Sequence, residues 1–199
     1  HQDTKVDIAV QSINVGLLDK HKIKYNFFAE DQHVLDSKKA VKLGLAEGDG
    51  IFVLGFPMGI VGEERNYVIV RQGAIARSRD AFAGKTRDLL IDAPIFPGNS
   101  GGPVVSRPEM TSIQGTKSIS SAYLIGVVSR YVPYKDVAIS QQTKRPRIIF
   151  EENSGLAIVV PIDRALEATQ ELMESAKPQA PAAPQPPKGK QLPAEKNSE

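Results

Sequence analysis

The chain has no cysteine and no tryptophan, and aromatic residues make up only 6% of it. Without thiols it can form neither a disulfide nor a thiolate metal site. Its three histidines, His1, His21 and His33, form no pair of the H-E-x-x-H kind, so neither a metal nor any other cofactor is expected. No apolar run approaches the roughly 18 residues of a membrane helix, and no membrane span is expected. An excess of one charge is missing too. The 25 basic and 23 acidic residues leave a formal charge of +2. The stretch from Lys177 to Glu199, with four lysines and two glutamates, carries all of it. A basic stripe on the folded part, the usual mark of a nucleic-acid binder, is absent, and no nucleic-acid partner is expected.

What is present suits a soluble globular chain: 41% hydrophobic and 24% charged residues over 199 positions. That length allows one domain or two small lobes with a sizeable core. The chain opens on His1 with no methionine and no signal-like segment. It therefore reads as a fragment or a processed form, for which an exported or periplasmic setting is one expectation.

Short strand-like runs dominate: "VDIAV" (6–10), "KIKYNFF" (22–28), Ile51 to Leu54 within "GDGIFVLGFPMG" (48–59), "NYVIVRQGAIARSR" (66–79), "DLLIDA" (88–93), "PVVS" (103–106), "AYLIGVVSRY" (122–131) and "GLAIVVP" (155–161). Turn signals separate them, which favours an all-β barrel or sandwich. Gly73 reads as a bulge or kink, and 36–45 as either a helical turn or a loop. Two long loops are expected, about 107–121 and 132–154. One amphipathic helix is expected over 161–177, packing through Ile162, Leu166 and Leu172 or Met173. The stretch 177–199 holds six of the 14 prolines and reads as a disordered tail.

The most informative stretch is "FPGNSGGPV" (96–104). A serine hydroxyl becomes a nucleophile only when a base takes its proton. Acyl transfer also needs N–H donors aimed at the developing oxyanion. Glycines around Ser100 let the backbone turn tightly and approach closely. The main-chain N–H groups of Gly98 and Ser100 are thus candidates for an oxyanion hole, with Ser100 the nucleophile. A plain glycine-rich turn is the alternative.

"GNSGGP" resembles the nucleophile motif of trypsin-like, chymotrypsin-fold serine peptidases, above all the bacterial high-temperature-requirement branch. The likeness extends to "KVDIAV", "GDGIFVLGFPMG", "LIDAPIFPGNSGGPVV", "YLIGVVSRY" and "GLAIVVPIDRALE", over most of 5–176. It implies two packed β-barrels with the active site between them. Residues 1–62 would then be the remaining part of a first, incomplete barrel, with "GDGIFVLGFPMG" as its last strand. Residues 63–176 would be the second barrel with its C-terminal helix. Asp7 would orient the base, and Ser129, Arg130 and Tyr131 would pair an extended substrate.

In the triad template the acidic residue stands about 93 residues before the serine; Asp7 stands 93 before Ser100. An aspartate ahead of "IAV" is otherwise an ordinary strand-edge residue. The template's histidine lies roughly 45 residues before the aspartate, which would place it upstream of His1, and none of the three histidines has the family's context. The resemblance thus implies a serine endopeptidase whose base is absent from this stretch, or a non-catalytic peptide-binding scaffold. Its partner would be a polypeptide, extended or unfolded. Asn99 replaces the aspartate of the digestive branch, so activation by zymogen cleavage is not implied. The pocket walls would be 94–99, 129–131 and 155–157, with no acidic residue, favouring an apolar side chain at the cleavage site. Tyr131 would either narrow the entrance or pack under the 132–154 loop. The cluster Lys144, Arg145 and Arg147 would be a solvated loop or an anion contact.

Overall fold

The computed structural model describes residues 1–110, 113 and 118–176, so the tail expectation for 177–199 lies outside the described residues. Six antiparallel strands close into one barrel: β1 (Gly50–Gly55), β2 (Ile69–Arg77), β3 (Leu89–Asp92), β4 (Pro103–Ser106), β5 (Leu124–Ile139) and β6 (Pro146–Pro161), in the order β1-β2-β3-β6-β5-β4. The protein is mostly strand, as the run of short apolar segments implied. Alternation along each strand fills the barrel. Ile51 and Val53 of β1, Leu89 and Ile91 of β3, and Ala157 and Val159 of β6 are buried in one cluster. Closure leaves the short strands without an open edge.

β1 corrects the expected boundary near residue 62. It pairs with β2 from Gly50 to Gly55 and with β4 through Ile51–Val53. It is the strand that closes this barrel, not the last strand of another. The run 6–10 is not a strand, nor is 22–28. Both carry apolar residues, but neither finds a ladder partner, and a strand exists only through its pairing. Short helices lead into the barrel: α1 (Val15–Lys20), α2 (Glu30–His33) and α3 (Ser37–Leu43). Asp36 caps α3 by accepting from Lys39 N, and Gly44 ends it in the left-handed conformation. This settles 36–45 as a helix. Gly73 is not a bulge. It sits in register opposite Ile51, and a Cβ there would collide with the Asp92 carbonyl; the irregularity of β2 lies between Ile75 and Arg77.

The expected loop 132–154 is a long β5–β6 ribbon that leaves the barrel, paired from Pro133↔Asn153 to Ile139↔Pro146. The C-terminal helix, α5 (Ile162–Ser175), docks through Ile162 and Ala168, with Ala165 and Leu166 partly buried. Leu172 and Met173 are exposed, so the expected second anchor is a small residue one turn earlier.

A four-residue helix, α4 (Arg79–Phe82), has no cap of its own. Glu47 supplies one from a distance: its Oε1 accepts from Ser78 N (2.9 Å), Arg79 N (3.0 Å) and Ser78 Oγ (3.1 Å). Burial pushes the Glu47 carboxyl up, but the donors from Ser78 and Arg79 outweigh it and hold the group at about 2. A depressed folded value stabilises the fold above the ordinary carboxylate range, and that stability is lost as pH falls through about 2. Urea unfolding between neutral pH and about pH 2 is expected to show roughly 2–3 kcal/mol lost to this group. Glu47→Gln should remove much of that dependence; an unchanged pH slope would show that the carboxylate contributes nothing.

Candidate active site

The loop from Phe96 to Gly102 is built from main-chain bonds. Asn99 N donates to Phe96 O (3.0 Å) and Gly102 N to Asn99 O (2.9 Å). Gly101 N donates to Val128 O (2.8 Å), and Val128 N returns a bond to Gly102 O (2.9 Å). Two N–H groups stand out against this pattern. Among the described residues, neither Gly98 N nor Ser100 N donates to any protein acceptor. These are the two donors the sequence reading singled out. Ser100 itself is exposed.

Glycine is required at Gly98 for two reasons. Its φ is +95°, and a Cβ would stand closer than 3.0 Å to the carbonyl oxygen of Phe56. The turn Pro57–Gly59 braces the loop from below: Phe56 N donates to Gly98 O (3.3 Å) and Met58 N to Pro97 O (2.6 Å). Met58 adopts a left-handed φ of 57° to do so. The brace follows the end of β1, the strand that pairs with β2 and β4. Asn99 is fully buried beneath the loop, and its Oδ1 accepts from Phe96 N (3.2 Å).

Residues 1–7 form a strap across the barrel. His1 Nε2 lies 3.0 Å from Glu167 Oε2 on α5, Gln2 N donates to Glu171 Oε2 (3.1 Å), and Arg87 Nε donates to Asp3 Oδ2 (2.9 Å). Arg87 and the Lys5 amide both hold the Asp3 carboxyl below its ordinary value, the amide more strongly. Val6 is buried. The strap delivers Asp7 to Ser129, whose Oγ donates to Asp7 Oδ2 at 2.6 Å.

A cleft of about 720 Å³ is lined by the strap from Thr4 to Val10, by Ser100 and Gly101, by Val127–Ser129 and by Ala165. A smaller cavity of about 230 Å³ lies between Ile95–Pro97 and Val128–Tyr131, and Ser100 lines it as well. The structure thus brings Asp7, Ser100 and Ser129 to one cleft, and Ser100, Ser129, Arg130 and Tyr131 to the adjoining cavity. Residues 155–157 do not line that cavity, in contrast to the expectation. Leu156 and Ala157 pair with β3, Ala157 also with β5, and Gly155 O accepts from Ala93 N. Asn153 supports the wall behind Ile95: its Nδ2 donates to Ile95 O and its Oδ1 accepts from Gly155 N. The sequence reading missed Asn153 because 132–154 read as a loop. It also missed Arg71, whose guanidinium lies 5.0 Å from the centre of the Phe96 ring.

Tyr131 lines the smaller cavity and packs under no loop, since 132–154 is a paired ribbon. Its hydroxyl donates to Glu151 Oε1 (2.9 Å) along the ribbon, and this bond raises its pKa. Lys135 and Tyr131 together lower that of Glu151. None of the three histidines lines the cleft or the cavity. His33 Nδ1 accepts from Ala29 N (2.9 Å), and His21 closes α1. No group of metal-ligating residues forms among the described residues, and none of their helices is long and apolar enough to cross a membrane.

No protein-family model matches the chain, and no curated protein matches it.

Proposed function

We propose that this barrel is the serine-bearing half of a two-barrel, trypsin-like serine endopeptidase acting on extended or unfolded polypeptide. One observation carries the reading. Among the described residues, Gly98 N–H and Ser100 N–H have no internal partner beside an exposed serine, while the N–H groups of Asn99, Gly101 and Gly102 are all engaged. Unused donors at this place are what a developing oxyanion requires.

In this reading an imidazole seated in the larger cleft takes the Ser100 Oγ proton as the oxygen adds to the substrate carbonyl. The carbonyl oxygen becomes the oxyanion held by the two amides. Collapse breaks the C–N bond, and the imidazolium returns its proton to the leaving amine. Water, deprotonated by the same imidazole, then releases the acyl group and restores Ser100. Asp7, anchored by Ser129, orients the imidazole. His1, His21 and His33 stand elsewhere, so the imidazole is supplied from outside these 199 residues. The smaller cavity is walled by Ile95, Phe96 and Val128 with no carboxylate, which suits an apolar side chain of small or medium size.

A peptide boronate with a valine side chain next to boron tests the reading without needing the base, because boron bonds Ser100 Oγ and presents an anionic oxygen. The expected result is a downfield shift of the Gly98 and Ser100 amide protons in the NMR spectrum, lost in Ser100→Ala. Unmoved amides in the presence of bound boronate would sink it. The absence of a histidine at the cleft favours a second reading, a peptide-binding scaffold without catalysis.

A further inference from the structure

The ribbon gives β5 a property that closure denies to the barrel's shorter strands. β4 holds β5 only from Leu124 to Val127, and Gly101 and Gly102 occupy both main-chain groups of Val128. From Ser129 to Ile139 β5 is paired on its β6 side alone among the described residues. This free edge begins on the wall of the cavity beside Ser100. At about 3.4 Å per residue it continues for roughly 35 Å. Unpaired main-chain donors and acceptors in a row recognise another extended backbone. The exposed side chains Tyr134, Val137 and Ile139 accompany it.

The edge is blunted without being closed. Pro133 lacks an N–H, and Val137 N donates to the Asp136 carboxylate (2.8 Å) rather than to a strand. Such devices discourage chance pairing with a free second copy. They matter less for a chain already held at the cleft, whose next residues meet the edge at high effective concentration.

We propose that the β5 edge from Val132 to Ile139 is an accessory site that captures an extended, apolar-rich stretch of the same polypeptide that enters the Ser100 cleft. This rests on the peptidase reading for its direction of entry, though binding itself does not need catalysis.

The experiment is fluorescence anisotropy on the whole chain with labelled peptides of alternating valine and threonine. One is about four residues long; the other, about twelve, spans the edge. The longer peptide is expected to bind about tenfold more tightly or better. Val137→Pro should reduce that gain to about threefold or less and leave the shorter peptide unaffected. Asp136→Ala, which frees the Val137 N–H without disturbing the ribbon, should tighten the longer peptide by about threefold. Equal affinities for both lengths, or binding of neither, overturns the proposal. So does self-association of Asp136→Ala in sedimentation velocity with no gain for the peptide, which would assign the edge to a second copy. If the longer peptide binds as expected while the boronate leaves Gly98 and Ser100 unmoved, the edge stands and the peptidase reading falls.

Discussion

The 199-residue chain by itself is expected to hydrolyse an unfolded protein such as reduced casein at about one-millionth of the turnover it reaches once an imidazole is seated between Asp7 and Ser100. Loss of the base from a working triad costs about 10⁶-fold in a well-studied hydrolase, equivalent to roughly 8 kcal/mol of barrier. The placement of the histidines is what makes the effect so large here. His1 is held by Glu167 on α5. His33 is turned back onto the Ala29 amide and lies 6.5 Å, edge-on, from the Phe28 ring. His21 ends α1, a helix with no buried residue. Free imidazole, small enough for the 720 Å³ cleft, should raise the residual rate, and Ser100→Ala should abolish the rise. Vigorous cleavage that depends on Ser100 with no added imidazole would show that the base is within the chain. His1 would then be the first to replace, since it lies on the same strap as Asp7.

The parts of this site that were legible in the sequence are those where residue type itself encodes backbone geometry. Gly98 and Gly101 take φ values of +95° and +81°, which side chains rarely adopt, so a serine between such glycines could be read as an exposed turn before any coordinates. β3, β4 and the inner part of β6 were legible because short apolar runs bounded by turn signals match buried strands. The ribbon was not. Both of its faces are solvated, so no burial alternates along it. Tyr134, Val137, Ile139, Ile148, Ile149 and Phe150 are all exposed, and Pro133 and the charged residues between them imitate a loop.

The barrel boundary failed for a different reason. β1 is a fine strand by composition, but its partner β4 lies some fifty residues further on, and local sequence does not report a pairing of that range. Residues 6–10 show the converse: an apolar run that makes no ladder and instead continues a strap, whose first residues His1, Gln2 and Asp3 are held by Glu167, Glu171 and Arg87 and whose Asp7 is held by Ser129. Asp7 was thus legible as a candidate through its spacing to Ser100, whereas the interactions that place it and the strap ahead of it depend on side chains from three distant parts of the chain: α5, Arg87 and Ser129.

Alanine substitutions at the three loop glycines should separate two costs that coincide at Gly98. Gly101→Ala meets open space, with nothing within 4 Å of the new Cβ, but keeps a φ of +81°. It should lose only the strain of a left-handed residue, about 1–3 kcal/mol. Gly102→Ala is free of that strain, but its Cβ would stand closer than 3.0 Å to the carbonyl oxygens of Leu54 and Asn99. Gly98→Ala suffers both, because its φ is +95° and the Phe56 carbonyl is in the way. Phe56 cannot retreat cheaply: β1 ends immediately before it, and the Pro57–Gly59 turn follows it. The expected loss for Gly98→Ala is about 4 kcal/mol or more, at the exceptional end of single substitutions. At about 2–4 °C per kcal/mol for a chain of this size, that lowers Tm by roughly 8–16 °C, against roughly 2–12 °C for Gly101→Ala. The same substitution should abolish the boronate-induced shift at the Ser100 amide even in protein that remains folded, since Gly98 carries the loop's direction as well as one of its donors. Thermal unfolding of the three variants side by side gives the ranking, and a Gly98→Ala protein as stable as Gly101→Ala would mean that the Phe56 carbonyl does not confine the loop.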